Sequence, residues 1–266
     1  PDHWILGEQG PALHTNSGAK AMIRHHRLLY RDLIDPLDLL RRNRAEPTDL
    51  SRYWSYAGAL HGHAERGQET SEYSELMATS QHFVAEQVLS AFAFRGVGSL
   101  LDVGGGSGAF LRAIGGAHPG PKLGLFDLPE VVAVARESLA SELGEERVQT
   151  HGGNFFEDEI PTGYDLITLS RILHDHDDEP ALKLLRNIRA ALQPGKRLLI
   201  AEPLAGIRGA EGMGDAFFGL YLWAMGSGRP RRANEIHAML REAGFSHSRT
   251  ISTPQPVVAS VIVASA

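Results

Sequence analysis

The stretch that most constrains this chain is Leu100-Leu101-Asp102-Val103-Gly104-Gly105-Gly106-Ser107-Gly108. A short apolar run, Leu100, Leu101 and Val103, reads as a buried strand, and it stops at a cluster of glycines. Ala109-Phe110-Leu111-Arg112-Ala113-Ile114 then resumes with helical apolar spacing, so the glycines form a tight strand-to-helix turn. Glycine is needed there because a side chain would hold a ligand away from the backbone N–H groups and from the helix N-terminus. Asp102, just before the turn, places a carboxylate where a cationic or amino-bearing ligand is favoured and a pyrophosphate is repelled.

The glycines alone leave two cofactor types open. Gly104-x-Gly106-x-x-Ala109 also satisfies a loose dinucleotide fingerprint, and Asp127 stands about 20 residues on, where an acid for the ribose hydroxyls is expected. A purely structural turn is the plainer alternative.

With 266 residues, 42% hydrophobic and 22% charged, the chain can bury one sizeable core, alone or with a small appendage. A net charge of −6 and the lack of a basic run interleaved with aromatics argue against nucleic acid as a partner. The absence of cysteine excludes disulfides, thiolate metal sites and a cysteine nucleophile. No apolar run approaches membrane-spanning length and the N-terminus has no signal-peptide character, so a soluble cytoplasmic protein is expected. Because the sequence begins at Pro1 without methionine, a longer native N-terminus is also expected.

Residues 1–20 are turn-rich. The apolar spacing of 21–40 predicts helix, broken at Pro36, and 41–49 reads as a charged linker. The cluster Tyr53-Trp54-Ser55-Tyr56 either packs helices together or lines a pocket. An amphipathic helix is predicted over 74–94. Strands at 122–126, 147–151, 164–169 and 197–201 then alternate with helices at 129–143 and 179–192, which implies a parallel sheet covered on both faces. After a helix at 233–243, strands at 245–251 and 257–264 are joined too closely for a parallel crossover, so they close the sheet as an antiparallel hairpin. This α/β, Rossmann-like layout is that of class I methyltransferases and favours S-adenosyl-L-methionine as the cofactor.

Several segments together resemble the small-molecule O-methyltransferases of the plant caffeate and bacterial antibiotic type. They are the glycine stretch, Phe126-Asp127-Leu128-Pro129, Gly152-Gly153-Asn154-Phe155-Phe156, the run from Leu173 to Glu179, Ala201-Glu202-Pro203 and Glu242-Ala243-Gly244-Phe245. Their order and spacing agree from about residue 75 to the C-terminus. More narrowly, the run from His174 to Pro180 and the segments starting at Met213 and Ala224 resemble carotenoid hydroxyl O-methyltransferases of purple-bacterial spheroidene synthesis. The resemblance implies a methyltransferase domain over 75–266. Residues 1–74 would be a helical remnant of a dimerisation and substrate-lid region, with 1–20 the tail of a winged-helix domain. It implies a homodimer in the full-length protein.

The resemblance further implies that Asp102, Gly104, Gly105 and Gly106 approach the methionine part of the cofactor. Asp127 would take the ribose hydroxyls beside Leu128, and Phe155 would pack against adenine. Asn154 stands where relatives carry aspartate, and Ser170 where lysine is frequent. From the residues alone, Asp127 also suits an N-cap of the helix beginning at Pro129.

His174 lies just beyond the carboxyl end of a parallel strand, where open α/β sheets place their ligands. Methyl transfer from a sulfonium needs an oxygen nucleophile in line with the S–CH3 bond and a base for its proton. Imidazole suits that task near neutral pH, and the resemblance places Glu202 beside the base. A metal site over 174–178 is disfavoured because the spacing does not converge ligands. The blander reading makes Asp177 and Asp178 a solvated loop with Asp178 capping the next helix. Caffeate-type relatives carry a second acid where Pro230 stands, with Asp175 or Glu235 as candidate substitutes.

The segment 213–225 is apolar nearly all round. Phe217, Phe218, Tyr221 and Met225 either pack the core or line a site for a long apolar acceptor. The expected reaction is O-methylation of a hydroxylated carotenoid at a demethylspheroidene-type 1-hydroxyl, with S-adenosyl-L-homocysteine as the other product and membrane-surface contact in collecting the acceptor. A phenolic or polyketide acceptor is the alternative of the same chemistry. From other classes, a nicotinamide dehydrogenase lacks a Tyr-x-x-x-Lys pair, and a cofactor-binding module without transfer is a third reading.

Overall fold

In a computed structural model of the chain, the described residues are 5, 7, 8, 10–53 and 68–266. The chain forms two compact units, Pro1–Ser80 with Ala224–Gly226, and Gln81–Trp223 with Ser227–Ala266.

In the first unit the helix expected over 21–40 is two helices, Ser17–Asp32 and Pro36–Arg41. The break falls where proline dictates: Asp35 caps the second helix by accepting from the N–H groups of Leu37 at 3.0 Å and Asp38 at 3.1 Å. Asp32 closes the first helix and caps the helix Asp49–Tyr53, accepting from the N–H groups of Asp49 and Leu50 at 2.9 Å each. Leu29, Leu39 and Leu50 are buried in this unit. Of the aromatic cluster, Tyr53 lies 5.1 Å from the His25 ring. Trp54, Ser55 and Tyr56 lie outside the described residues.

The second unit is built on a seven-stranded sheet in the order β3-β2-β1-β4-β5-β7-β6. Its strands are β1 (Ser99–Val103), β2 (Lys122–Asp127), β3 (Val148–Gly152), β4 (Leu166–Ser170), β5 (Arg197–Glu202), β6 (His247–Ile251) and β7 (Ser260–Ser265). The pairs among β1 to β5 are parallel, and β7 runs antiparallel to both β5 and β6. This is the expected parallel sheet closed by an antiparallel hairpin. The last two strands begin later than the apolar pattern suggests, at His247 and Ser260; the second is delayed because 252–259 forms a turn in which Thr253 Oγ1 donates to the Ala259 carbonyl at 2.6 Å.

Alternation along each strand splits the core into two layers. Leu101, Val103, Ile167, Leu169, Leu198 and Ile200 pack with the helix Asp178–Ala191. Leu100, Leu166, Leu199, Ala201, Val261 and Val263 pack on the opposite face with Val84, Ala85 and Val88 of the long helix Gln68–Ala91. Each such buried Leu, Ile or Val side chain contributes about 1.5–3 kcal/mol. The same alternation sends Asp102, Thr168 and Ser170 to one face and Glu202 to the other. Both sets stand at the carboxyl ends of parallel strands. Among the described residues, no helix is long and apolar enough to cross a membrane.

Candidate active site

The glycine turn follows β1 into the helix Ala109–Ala117. Gly104, Gly106 and Gly108 hold φ values of +71°, +57° and +80°, a left-handed backbone that a side chain would strain. A Cβ at Gly104 would sit 2.6 Å from Ile172 Cδ1 and 3.6 Å from Phe155 Cε1, whereas a Cβ at Gly106 would meet nothing within 4 Å. Ile172 and Phe155 therefore roof one side of the turn, and the side at Gly106 is open. Under Gly105 lies the Asp102 carboxylate, whose Oδ2 would be 2.5 Å from a Cβ there.

Asp102 is fully buried. Its Oδ1 accepts from Thr168 Oγ1 at 2.7 Å, the residue paired with it across β1 and β4, and its Oδ2 has no hydrogen-bond partner among the described residues. Burial pushes its carboxyl up to about 7, opposed by the Thr168 hydroxyl. Asp127, at the end of β2, accepts from the Gly106 N–H at 2.8 Å and the Leu128 N–H at 2.7 Å. It ties the turn to β2 rather than capping the next helix, whose N-cap is Leu128. Burial raises the Asp127 carboxyl too, against the two backbone donors.

On the other side of the sheet's carboxyl edge, Arg171 takes a φ of +58° directly after β4. That sharp turn starts the 3₁₀ helix Leu173–Asp175 and swings His174 back over β5. Nδ1 of His174 lies 3.5 Å from Oε2 of Glu202, and the His174 N–H donates to that oxygen at 3.2 Å. Nε2 of His174 lies 3.0 Å from Oδ1 of Asp175. His174 Nδ1, Asp175 Oδ1 and Glu202 Oε1 are buried without well-aligned hydrogen bonds among the described residues, which is uncommon for buried polar groups. Burial raises the Glu202 carboxyl, offset by the charges of His174 and Arg231. The rings of His174 and Phe218 meet edge to face at 5.6 Å, with Tyr221 5.9 Å beyond Phe218.

An O-methyltransferase domain model matches residues 31–246. The chain belongs to the O-methyltransferase family. It is 42% identical over 97% of its length to the demethylspheroidene O-methyltransferase of Cereibacter sphaeroides, spanning 68% of that protein. With the enzyme of the same name from Rhodobacter capsulatus the identity is 41%, over 98% of this chain and 64% of that one. Human N-acetylserotonin methyltransferase, solved in complex with SAM, matches with a TM-score of 0.74 and 25% identity, over 94% of this chain and 69% of that one. The chain thus spans about two thirds of the length of these relatives.

S-adenosyl-L-methionine is the cofactor expected from the sequence and the molecule held in that human structure. The residues present fit it: the open backbone at Gly106, the orphaned Asp102 Oδ2 and the half-sequestered Asp127 converge at one turn. Leu128 and Phe155 are half-buried beside it, and Phe155 stacks edge-on with Phe156 at 4.6 Å. The side-chain oxygen of Asn154 accepts from the Phe156 N–H at 3.0 Å, so that part of the side chain is used in its own turn. The Ser170 hydroxyl donates to Gln81 Oε1 at 2.9 Å, tying β4 to the long helix.

Several local expectations are corrected. Segment 213–225 is a π-helical turn, Gly212–Phe217, followed by the α-helix Phe218–Met225. Gly214 there approaches the Leu204 carbonyl so closely that a Cβ would be 2.9 Å from it. Phe217 and Phe218 are half-buried and Tyr221 buried in the second unit, while Met225 is buried and belongs to the first. Glu235 does not reach His174; it pairs with Arg229 at 2.8 Å and accepts from the Arg232 N–H at 2.8 Å. Asp178 is the first residue of its helix rather than the cap and holds Arg229 and Arg231. Thr168, Ile172 and Arg231 belong to the site and have no local sequence signal, since each acts through residues distant in the chain.

Proposed function

We propose that this chain methylates the hydroxyl of a hydroxylated carotenoid of the demethylspheroidene type, with His174 as general base and Glu202 as its partner. The observation that carries the reading is the identity of more than two residues in five to two demethylspheroidene O-methyltransferases over nearly the whole chain. The buried His174–Glu202 pair and the apolar ring of Phe218 beside it support the chemistry.

Bound S-adenosylmethionine supplies the methyl group and leaves as S-adenosylhomocysteine. Asp102, Gly104, Gly105, Gly106 and Asp127 hold it, with Leu128, Asn154, Phe155 and Ser170 around it. With Nδ1 turned to Glu202, Nε2 of His174 takes the hydroxyl proton, and the carboxylates of Glu202 and of Asp175, 3.0 Å from Nε2, stabilise the imidazolium that forms. An aliphatic hydroxyl is too weak an acid to be ionised beforehand by imidazole, so proton removal accompanies methyl transfer. Phe217, Phe218 and Tyr221 serve the apolar acceptor, and a dry site favours the charge-dispersed transition state over the charged reactants.

The same reading includes a homodimeric, cytoplasmic protein that collects its acceptor at a membrane surface. Ile23, Tyr30, Ile34, Leu37 and Leu40, exposed around Ser17–Asp32 and Pro36–Arg41, support an association surface.

The test incubates the protein with methyl-labelled S-adenosylmethionine, a 1-hydroxylated carotenoid in detergent and a panel of phenols, and follows label into extracted product. Label in the carotenoid is expected. Label only in phenols would overturn the acceptor, and cofactor binding without any labelled product would overturn transfer itself.

A further inference from the structure

Arg231 is fully buried, and a guanidinium is costly to remove from water. Its carboxylate partner Asp178 lies 2.8 Å away, is 61% exposed and is shared with Arg229. A solvated, shared carboxylate offsets only part of that cost.

The remaining contacts point inward. Nη1 donates to the Leu173 carbonyl at 2.7 Å and Nη2 to the His176 carbonyl at 2.7 Å, so two arms of one planar group hold both sides of the turn carrying His174 and Asp175. The segment ahead of Arg231 clamps the same turn. Ser227 Oγ donates to the Asp175 carbonyl at 2.8 Å, and the Arg229 N–H donates to the His174 carbonyl at 2.9 Å. The charge of Arg231 also acts on Glu202, another fully buried side chain.

We infer that Arg231 is a positioning residue for methyl transfer: its fork fixes the turn that carries His174, and its buried positive charge supports the Glu202 carboxylate. The inference rests on the reading of His174 as the base. It assigns a role to the segment in which Pro230 replaces the second acid of caffeate-type relatives.

The charged and titratable groups acting on Glu202 are His174 and Asp175, from the turn after β4, and Arg231, from the segment ahead of the helix Ala233–Glu242. Those around Arg231 are Asp178, with Arg229 on its far side, and His176. Arg231→Gln removes a positive charge, so the His174–Glu202 pair takes up its proton more easily and its titration moves to higher pH. Asp178→Asn removes a negative charge at a solvated position and leaves Arg231 less neutralised, so the same titration moves to lower pH.

The experiment follows the His174 ring by ¹⁵N-histidine NMR across pH, its signal assigned by loss in His174→Gln. Calorimetric binding of S-adenosylhomocysteine counts the folded sites. Arg231→Gln is expected to shift the titration up by on the order of one pH unit and to lower kcat by about 10²-fold. Arg231→Lys, which keeps the charge but not the fork, is expected to lose rate without the upward shift. A titration unmoved in both Arg231→Gln and Asp178→Asn, or moved in one direction by both, overturns the inference even if the rate falls. If Arg231→Gln binds no S-adenosylhomocysteine, the downward shift in Asp178→Asn decides. A wild-type protein that labels no acceptor sinks the proposed function and leaves the titration to judge Arg231 separately.

Discussion

Nδ1 of His174 and Oε2 of Glu202 stand 3.5 Å apart with side chains only 3% and 1% exposed, although 28 residues separate them in the chain. Parallel pairing of β4 with β5 brings them together: Ser170 lies beside Ala201, so the turn after β4 lands on the residue that ends β5. The 3.2 Å bond from the His174 N–H to the same carboxylate oxygen fixes the backbone of the turn, with the ring Nδ1 beside that oxygen. An imidazole oriented by a carboxylate at the rim of a parallel sheet is pre-organised for one proton transfer.

Replacing Glu202 by Gln keeps the volume and removes the anion. We expect kcat to fall by about 10²-fold while the dissociation constant of S-adenosylhomocysteine stays within a factor of about two. His174→Ala should cost about 10²–10⁴-fold. The double variant should be little worse than His174→Ala alone, because the two side chains act as a unit. Rates that multiply in the double variant would show that the pair does not work together.

Asp102 gives a pH dependence of stability with a definite sign. Its carboxyl titrates near 7 in the folded chain against 3.8 for the free side chain, so the folded state binds the extra proton between those values. The stabilisation is present in full below about pH 4 and is lost as pH rises towards 7, about 4 kcal/mol at most by the shift alone. Melting of the cofactor-free protein should therefore move to lower temperature between pH 5 and 8. Asp102→Asn, which still accepts from Thr168, should flatten that dependence. An equal slope in both proteins would place the titration elsewhere.

The strand, glycine turn and helix from Ser99 to Ala117 were legible because every signal is local: an apolar run, glycines at three left-handed positions, then helical spacing. The pairing of His174 with Glu202 is implied by the family resemblance, and the parallel register of β4 and β5 accounts for it. What the sequence could not show are contacts made by register and by distant segments. Thr168 supports Asp102 only because β1 lies beside β4, and Gln81 meets Ser170 across 89 residues. Arg231 reaches Leu173 across 58 residues. In that segment the sequence marks the acid missing at Pro230 and carries no signal for the guanidinium beside it. The apolar pattern of 213–225 reports helix but carries nothing about the π-helical widening at Gly212–Phe217. Glu235, a candidate substitute for the missing acid, is held by a helix N-terminus and Arg229.

Gly228 approaches the His174 turn more closely than any side chain could. A Cβ there would be 2.1 Å from the His174 carbonyl oxygen and 2.5 Å from the Asp175 carbonyl carbon, at a φ of +78°. Gly228→Ala should cost about 2 kcal/mol or more in stability and displace the base, reducing kcat by at least ~10-fold. Gly209, at φ +82° with nothing within 4 Å of a Cβ, is the control: Gly209→Ala should cost about 1 kcal/mol and leave kcat unchanged. Thermal melts and initial rates on the two variants separate backbone strain from collision. Equal losses would remove the claim that Gly228 positions the turn.

Asp127 tests the cofactor side without touching the base. Its Oδ2 is engaged by the Gly106 N–H and its Oδ1 by the Leu128 N–H, which aims the carboxylate along the carboxyl edge of β2 and leaves further lone pairs for ligand hydroxyls. Hydrogen bonds to a charged acceptor contribute about 1.5–3 kcal/mol each, so Asp127→Ala should weaken S-adenosylhomocysteine binding by ~10-fold or more in calorimetry. With cofactor saturating, kcat should change little, because the reacting atoms lie towards His174. Asp127→Asn, which keeps one acceptor oxygen, should fall between wild type and Asp127→Ala in affinity. If Asp127→Ala melts at a lower temperature but binds S-adenosylhomocysteine as wild type does, Asp127 only braces the glycine turn, and the ribose is held by other groups.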